Sequence, residues 1–127
     1  MLMTNENVCA GLNVLVVEDE TLVLFNLEDV LAELGCVVVG PAMRLEQAAK
    51  LAAAADTDVA ILDVNLAGQP VFPVAEALAA RGVPIIFATG YGRAGLPAEW
   101  QDRPVLVKPY TAGDVERALG AIARQKS

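Results

Sequence analysis

The stretch Val14-Leu15-Val16-Val17-Glu18-Asp19-Glu20 sets the expectation for the fold, because an unbroken apolar run passes directly into three acids. A strand with one face in water alternates apolar and polar residues, whereas a run that is apolar throughout is typical of a parallel strand covered on both faces. The acids then lie just beyond the carboxyl end of the strand. In open parallel sheets, that edge is where ligands bind.

Four later runs have the same character: Val37–Val39, Val59–Leu62, Ile85–Ala88 and Val105–Val107. Segments with helical features separate these runs. The first is marked by Leu24, Leu27, Leu31 and Leu34 before Gly35, and the second is the alanine-rich stretch from Leu45 to Ala55. A third runs from Val74 to Arg81 after Pro73, and the last begins at the cap-like Thr111-x-x-Asp114. This alternation predicts an α/β fold, a doubly wound five-stranded parallel sheet in the flavodoxin-like order 2-1-3-4-5 with helices on both faces.

The fourth connection is the exception to this regular alternation. Residues 91–100 contain Gly92, Gly95 and Pro97, so we expect a short or poor helix there. The length of 127 residues suits a single domain. We place that domain at residues 13–127, after a short N-terminal extension at residues 1–12.

Composition narrows the classes of function. Hydrophobic residues make up 55% of the chain and charged residues 20%, as in a packed globule. The net charge of −7 would repel nucleic acid and anionic membranes, so we expect neither as a direct partner. No signal peptide is recognisable, and no apolar run approaches the roughly 18 residues of a membrane span, which predicts a cytoplasmic protein.

Cys9 and Cys36 form no metal-binding motif, and we expect two reduced thiols, with Cys36 buried.

Acidic side chains follow two strands that the predicted order makes neighbours. Glu18 and Asp19 come directly after the first run, and Asp63 follows Leu62 at the end of the third. Like charges so close repel one another, and a hard divalent cation with oxygen ligands, such as Mg2+, would relieve that repulsion. Glu20 is explained more simply by the attraction between an acid and the positive end of the first helix.

Two further side chains follow the last two strands. Thr89 comes after Ala88, and Lys108 comes after Val107, so both lie at the same sheet edge as the acids. An ammonium and a cation can offset the charge of a phosphoryl group, and a hydroxyl can donate a hydrogen bond to it. A carboxylate can itself be the nucleophile that accepts the group, and Asp63 is placed for this role.

The order of Glu18-Asp19, Asp63, Thr89 and Lys108-Pro109 resembles the response-regulator receiver family of two-component signalling, from about Asn13 to the last helix. In addition, Phe87-Ala88-Thr89-Gly90-Tyr91 resembles a FATGY-type subgroup of stand-alone bacterial receivers. The resemblance implies that Asp63 takes a phosphoryl group from the phosphohistidine of a histidine kinase or phosphotransfer protein. It also implies no turnover of an external substrate, and a signal that leaves through contacts with a downstream protein, since no output domain follows residue 127.

The resemblance assigns further roles to individual residues. Glu18, Asp19 and Asp63 would bind Mg2+ together with the backbone carbonyl of Asn65. Thr89 and Lys108 would engage the phosphoryl oxygens, and the Lys108–Pro109 peptide bond would be cis.

This chain departs from the family pattern at two places. Asn65-Leu66-Ala67-Gly68 stands where many receivers carry Met-Pro, and Val105 stands where the fifth strand usually carries a Tyr or Phe switch. The nearest aromatic in sequence is Tyr91, two residues after Thr89. We therefore hypothesise that movement of Thr89 repositions Tyr91 and orders residues 90–100, forming a partner surface with Val105 and Pro109.

Three other interpretations compete with this one. A flavin-binding protein of the same architecture would need a phosphate loop rich in Ser, Thr and Gly after the first strand, and three acids stand there instead. A magnesium-dependent phosphohydrolase would carry its nucleophile on the first strand and needs a longer chain. A degenerate receiver would bind a partner without phosphorylation, although every residue of the phosphoryl site is present.

Overall fold

The computed structural model describes residues 8–126, and its centre is one sheet of five parallel strands. The strands are β1 (Asn13–Val17), β2 (Val37–Ala42), β3 (Val59–Asp63), β4 (Ile85–Thr89) and β5 (Val105–Val107). Their order across the sheet is β2-β1-β3-β4-β5, which confirms the predicted order. Val17 pairs with Leu62 and Asp63 with Ala88, so neighbouring strands end at nearly the same level.

Four helices cover the sheet, and the predicted placement on both faces is confirmed. They are α1 (Thr21–Glu33), α2 (Leu45–Ala54), α3 (Phe72–Ala80) and α4 (Ala112–Lys126). α1 and α4 pack on one face, and α2 and α3 on the other. α3 begins two residues before the predicted Val74, because the first turn of a helix needs no N–H from Pro73 and can include it.

Alternate side chains of each central strand enter two separate apolar layers. Leu15 and Leu62 face α2 and α3, whereas Val14 and Ile61 face α1 and α4. Both layers are covered, so no position along β1 or β3 benefits from a polar residue. This arrangement explains why the runs are apolar throughout.

A small antiparallel hairpin follows β3 and was not predicted. Asn65–Leu66 pairs with Gln69–Pro70, and the turn between them places Ala67 at φ 51° and Gly68 at φ 86°. Two consecutive left-handed residues are what a type I′ turn requires. Asp19 Oδ2 accepts a hydrogen bond from the Ala67 N–H at 3.0 Å, so a contact from the end of β1 holds the tip of the hairpin.

Two short 3-10 turns replace a full helix in the fourth connection, which confirms the expectation of a short helix there. They span Arg93–Gly95 and Ala98–Trp100. Trp100 is buried against Phe72 and Phe87, with ring centroids 6.4 Å and 5.6 Å away. The Arg93 guanidinium donates hydrogen bonds to the carbonyls of Gln101 and Arg103. These bonds connect the beginning of the segment 93–103 to its end.

The cysteines lie close together and form no disulfide, as expected. The Cys36 thiol donates a hydrogen bond to the Cys9 carbonyl at 3.4 Å. The expected burial of Cys36 is wrong, since Cys36 is half-buried and Cys9 is the buried one. Cys36 directly precedes β2, which is an edge strand and is paired on one side only.

The predicted boundary between an extension and the domain stays a prediction. Residues 1–7 of that extension lie outside the described residues, whereas residues 8–11 form a turn that places Cys9 in the layer beneath α1 and α4. Within residues 8–126, none of the helices combines the length and the apolar character that a membrane crossing requires.

Candidate functional site

The carboxyl ends of the strands open into one cleft with a volume of about 790 Å³. Asp19, Asp63, Thr89, Tyr91 and Lys108 line this cleft, and the hairpin at residues 65–70 forms part of its wall. The structure therefore brings together side chains from the ends of four strands that are far apart in sequence. Val105 and Pro109 do not line the cleft.

Three carboxylates form the acidic centre of the site. One ligand oxygen from each of Glu18, Glu20 and Asp63 lies within 4.8 Å of the others. Glu18 and Asp63 are buried, and Glu20 is exposed. A cluster of carboxylate oxygens suits a hard cation such as Mg2+, so the chemistry of these residues fits the predicted ion. The cluster contains Glu20 and not Asp19, which was the predicted ligand beside Glu18 and Asp63.

Burial and the charge of Glu18 raise the pKa of Asp63 to about 7. The ammonium of Lys108 acts in the opposite direction but does not outweigh them. Near neutral pH, a substantial fraction of Asp63 therefore keeps its proton unless more positive charge enters the site. A protonated carboxyl is a poor nucleophile, so this pKa bears directly on what Asp63 can do.

Lys108 is the positive group of the site. Its Nζ lies 3.0 Å from Glu18 Oε1, 3.0 Å from Glu20 Oε1 and 3.3 Å from Asp63 Oδ2. Burial opposes the charge of the ammonium, but hydrogen bonds to Glu20 and Glu18 and the charge of Asp63 outweigh it and raise the pKa of Lys108. Lys108 is therefore fully charged and shared among three acids.

Glu20 has a different role from the one its sequence position indicates. It occupies the N-cap position of α1, yet its side chain makes no cap hydrogen bond, and its carboxylate pairs with Lys108 instead. Glu20 thus lies at the start of α1 as predicted, but helix capping does not account for its side chain, which binds Lys108. No signal in the sequence joins residues 20 and 108, because only the tertiary fold brings the residues after β5 to the start of α1.

Asp19 and Asn65 lie at the cleft through the hairpin. Asp19 adjoins Asp63 and contributes to raising the pKa of that carboxyl, while its Oδ2 holds the Ala67 N–H. The Asn65 N–H donates a hydrogen bond to Asp63 Oδ1 at 3.4 Å. The strand partner of Asn65 is Pro70, which has no N–H to donate to the Asn65 carbonyl. The predicted role of this carbonyl as a ligand stays a prediction.

Thr89 and Tyr91 are linked directly at the end of β4. The Thr89 hydroxyl oxygen accepts a hydrogen bond from the Tyr91 N–H at 3.1 Å, and Thr89 is buried. Tyr91 is 85% exposed, so its ring is accessible from solvent. A Cβ at Gly95 would lie 2.9 Å from the Tyr91 Cβ, which means that the Arg93–Gly95 turn presses against Tyr91.

A second cavity, of about 320 Å³, adjoins the cleft on the side of α1. Glu20 and Lys108 line both spaces, and Pro109 and Tyr110 line the second. The Lys108–Pro109 bond is cis, as predicted. The Tyr110 hydroxyl is buried without a hydrogen-bond partner among the described residues, and burial together with the charge of Glu18 raises its pKa to about 12. The sequence analysis did not single out Tyr110.

A doubly wound sheet with an acidic cluster, a hydroxyl and a lysine at one carboxyl edge is the arrangement that the sequence predicted for the receiver class of protein. The family model "Response regulator receiver domain" matches residues 14–119, and the chain belongs to this family, whose place is in two-component signalling.

Solved structures of receivers are similar to this chain. The solution structure of SdrG from Sphingomonas melonis Fr1 is 43% identical, with a TM-score of 0.79, and the match covers 88% of this chain and 96% of that one. The beryllofluoride-activated conformation of SdrG from Pseudomonas melonis Fr1 is also 43% identical, with a TM-score of 0.76 over 90% and 98% of the two chains. The response regulator PhyR from Brucella abortus is 26% identical, with a TM-score of 0.74 over 92% of this chain and 50% of that one.

Curated relatives are more distant. The transcriptional regulatory protein PdtaR of Mycobacterium tuberculosis is 28% identical over 120 residues, which is 91% of this chain and 58% of PdtaR. The chain thus spans less than two thirds of the length of the curated relatives that it matches.

Proposed function

We propose that this protein is a response regulator that accepts a phosphoryl group on Asp63 from a phosphohistidine of a histidine kinase or phosphotransfer protein. The observation that carries the proposal is the contact of the Lys108 ammonium with Asp63 and Glu18, in a cleft that also contains the Thr89 hydroxyl. SdrG, which is 43% identical, has been solved in a beryllofluoride-activated conformation, and beryllofluoride imitates a phosphoryl group on a carboxylate.

Each side chain of the cleft has a chemical task in this transfer. A carboxylate oxygen of Asp63 forms a bond to phosphorus while the bond between phosphorus and the donor imidazole nitrogen breaks. Lys108 donates hydrogen bonds to the phosphoryl oxygens and offsets their charge. The Thr89 oxygen already accepts a hydrogen bond from the Tyr91 N–H, so its own hydrogen remains available for a phosphoryl oxygen.

The residues that would hold Mg2+ are Glu18, Asp19 and Asp63, with the backbone carbonyl of Asn65. A bound ion would supply positive charge that keeps Asp63 ionised and offsets the phosphoryl oxygens. The raised pKa of Asp63 supports this requirement, because Lys108 by itself does not bring the pKa back to its ordinary value. In this proposal the protein assists the phosphorylation of its own Asp63 and turns over no external substrate.

The signal leaves the site through Tyr91 in this proposal. Val105 has no ring that could turn inward, whereas Tyr91 is exposed at the cleft and its backbone N–H is bonded to Thr89. A shift of Thr89 toward a phosphoryl group would therefore pull directly on the backbone of Tyr91. The resulting surface, with Val105 and Pro109 at its margins, would contact a downstream protein.

The test of acceptor function is the intact mass of the protein after incubation with acetyl phosphate and Mg2+. We expect a gain of one phosphoryl group, and no gain for Asp63→Asn, because an amide is not a nucleophile for this step. Asp102→Asn is the matched control, since Asp102 is an exposed acid outside the cleft, and it should be modified like the wild type. A wild-type protein that gains no mass would favour a degenerate receiver, and an Asp63→Asn variant that gains mass would exclude Asp63 as the acceptor.

A further inference from the structure

The Lys108 ammonium is shared among three carboxylates. An ammonium carries three donors, and Glu18, Glu20 and Asp63 each lie within 3.3 Å of Nζ. The Lys108 side chain is only 17% exposed, so water has little access to it. The ammonium donates hydrogen bonds to Glu18 Oε2 and Glu20 Oε1, so a phosphoryl oxygen on Asp63 has to share Lys108 with both glutamates.

Glu20 differs from the other two carboxylates in how it would respond to phosphorylation. Asp63 becomes the acyl phosphate, and the charge of Glu18 is offset by the ion in the proposed mechanism. The Glu20 side chain is 61% exposed and makes no cap hydrogen bond. Its carboxylate belongs to the acidic cluster, but its Oε1 is already paired with the Lys108 ammonium at 3.0 Å. Glu20 therefore keeps its negative charge and its attraction for Lys108 after the phosphoryl group has arrived.

We propose that Glu20 is a positioning residue that holds Lys108 in its resting arrangement and competes with the phosphoryl group for the ammonium. This inference rests on the proposed function of Asp63. The Glu20–Lys108 pair lines both the cleft and the adjoining cavity, so it forms a wall between them. The ammonium already lies 3.3 Å from Asp63 Oδ2, and release from Glu20 leaves it fewer carboxylates to share. The Glu20–Lys108 pair thus favours the unphosphorylated state.

The experiment measures beryllofluoride binding at saturating Mg2+ by 19F NMR, which detects the bound species directly. Glu20→Gln should bind beryllofluoride about 1.4- to fivefold more tightly, because exposed ion pairs contribute roughly 0.2–1 kcal/mol and about 1.4 kcal/mol corresponds to a factor of ten. Asp29→Asn is the matched control, since it removes one acid from an exposed position of the same helix away from the cleft. Its affinity should stay at the wild-type value.

A double-mutant cycle separates competition for Lys108 from a general effect of charge. In the Lys108→Ala background, Glu20→Gln should bring no gain in affinity, because the ammonium for which Glu20 competes is gone. The same gain in both backgrounds, or a Glu20→Gln variant that binds no more tightly than Asp29→Asn, would overturn the inference.

A second measurement needs no phosphoryl mimic. The lysines of the chain are Lys50, Lys108 and Lys126, so the 15Nζ signals of a lysine-labelled sample are few and can be assigned with Arg variants. Glu20→Gln should shift the Lys108 signal and speed its hydrogen exchange, and Asp29→Asn should change neither. An unchanged Lys108 signal in Glu20→Gln would overturn the inference while leaving the proposed function intact. A wild-type protein without a saturable beryllofluoride response would overturn the proposed function, and the inference with it.

Discussion

Asp63 and Ala67 are the residues whose local environments most clearly lower the stability of the folded protein. Asp63 is a buried carboxyl beside Glu18, and Ala67 has a side chain in a backbone region that favours glycine. Both lie at the cleft, and unfavourable local interactions are commonly concentrated at functional sites, where the surrounding structure compensates for them. Each of them makes a quantitative prediction.

The first prediction concerns the pH dependence of stability with metal removed by EDTA. The pKa of Asp63 is raised from 3.8 to about 7 in the folded protein. Between these values the folded state keeps a proton that the unfolded chain has lost, so the contribution of Asp63 to stability falls as pH rises and levels off above about 7. The free energy of unfolding from denaturant titrations should therefore fall relative to Asp63→Asn across this range. A difference between the two proteins that does not change with pH would contradict the assignment.

The second prediction concerns the hairpin turn. Ala67 lies at φ 51°, where a Cβ crowds the backbone at a cost of about 1–2 kcal/mol. Ala67→Gly keeps the N–H that Asp19 accepts and should raise the free energy of unfolding by roughly 0.5–1 kcal/mol. Ala49→Gly, at an exposed position inside α2, should have the opposite sign and lower stability by about 1 kcal/mol. Two variants with the same sign would refute a strained turn.

At the scale of elements, the fourth connection is the segment in which this protein differs most from a regular alternation of strand and helix. Its far end is anchored, because Trp100 is buried and Arg93 binds two carbonyls beyond it. At its near end Tyr91 is exposed, and its backbone N–H donates a hydrogen bond to the Thr89 hydroxyl at the end of β4. An event at Thr89 is therefore expected to move the near end first.

The third prediction tests this transmission. On addition of beryllofluoride and Mg2+, backbone amide NMR should record its largest changes in residues 89–100, because Thr89 and the Tyr91 N–H share a hydrogen bond. Tyr91→Ala should still be modified on Asp63 but should lose its downstream partner, since the backbone link is kept and the exposed ring is removed. Changes confined to the immediate neighbours of Asp63, with Tyr91 unmoved, would rule out this route for the signal.

At the scale of the whole molecule, the sheet brings charges of one sign to one edge and places a single lysine among them. Glu18, Glu20 and Asp63 come from the ends of β1 and β3 and the start of α1, and Lys108 follows β5. The repulsion between Asp63 and the two glutamates is a property of the folded state, because Asp63 is distant from both of them along the chain. Anything that binds the cluster therefore stabilises the fold.

The fourth prediction follows from this linkage. Millimolar Mg2+ should raise the melting temperature, by an amount equivalent to about 1.4 kcal/mol when its concentration is ten times Kd. Glu18→Ala and Asp19→Ala should reduce the increase, while Asp29→Asn should leave it unchanged. NaCl of equal ionic strength controls for screening of the charged surface. A wild-type melting temperature that does not respond to Mg2+ would argue strongly against the metal site.

The sequence by itself determined the sheet, its strand order and the edge at which the site lies. Runs such as Val59–Leu62 are apolar throughout because both faces of the strand are covered. A buried parallel strand can therefore be recognised from a few consecutive residues. Glu18, Asp63, Thr89 and Lys108 were predictable for the same reason, since each directly follows one of these runs. The strand order then required them to be neighbours.

The tertiary structure alone decided what joins residues that are distant in the chain. Glu20 pairs with Lys108 and makes no helix-cap hydrogen bond, and Cys9, not Cys36, is buried. Residues 65–70 form a hairpin, and Asp19 accepts a hydrogen bond from the backbone at its tip. None of these contacts follows from periodicity or propensity. They depend on distances of a few ångströms between elements that only the packed sheet sets, and these distances also determine where the charge of Lys108 rests.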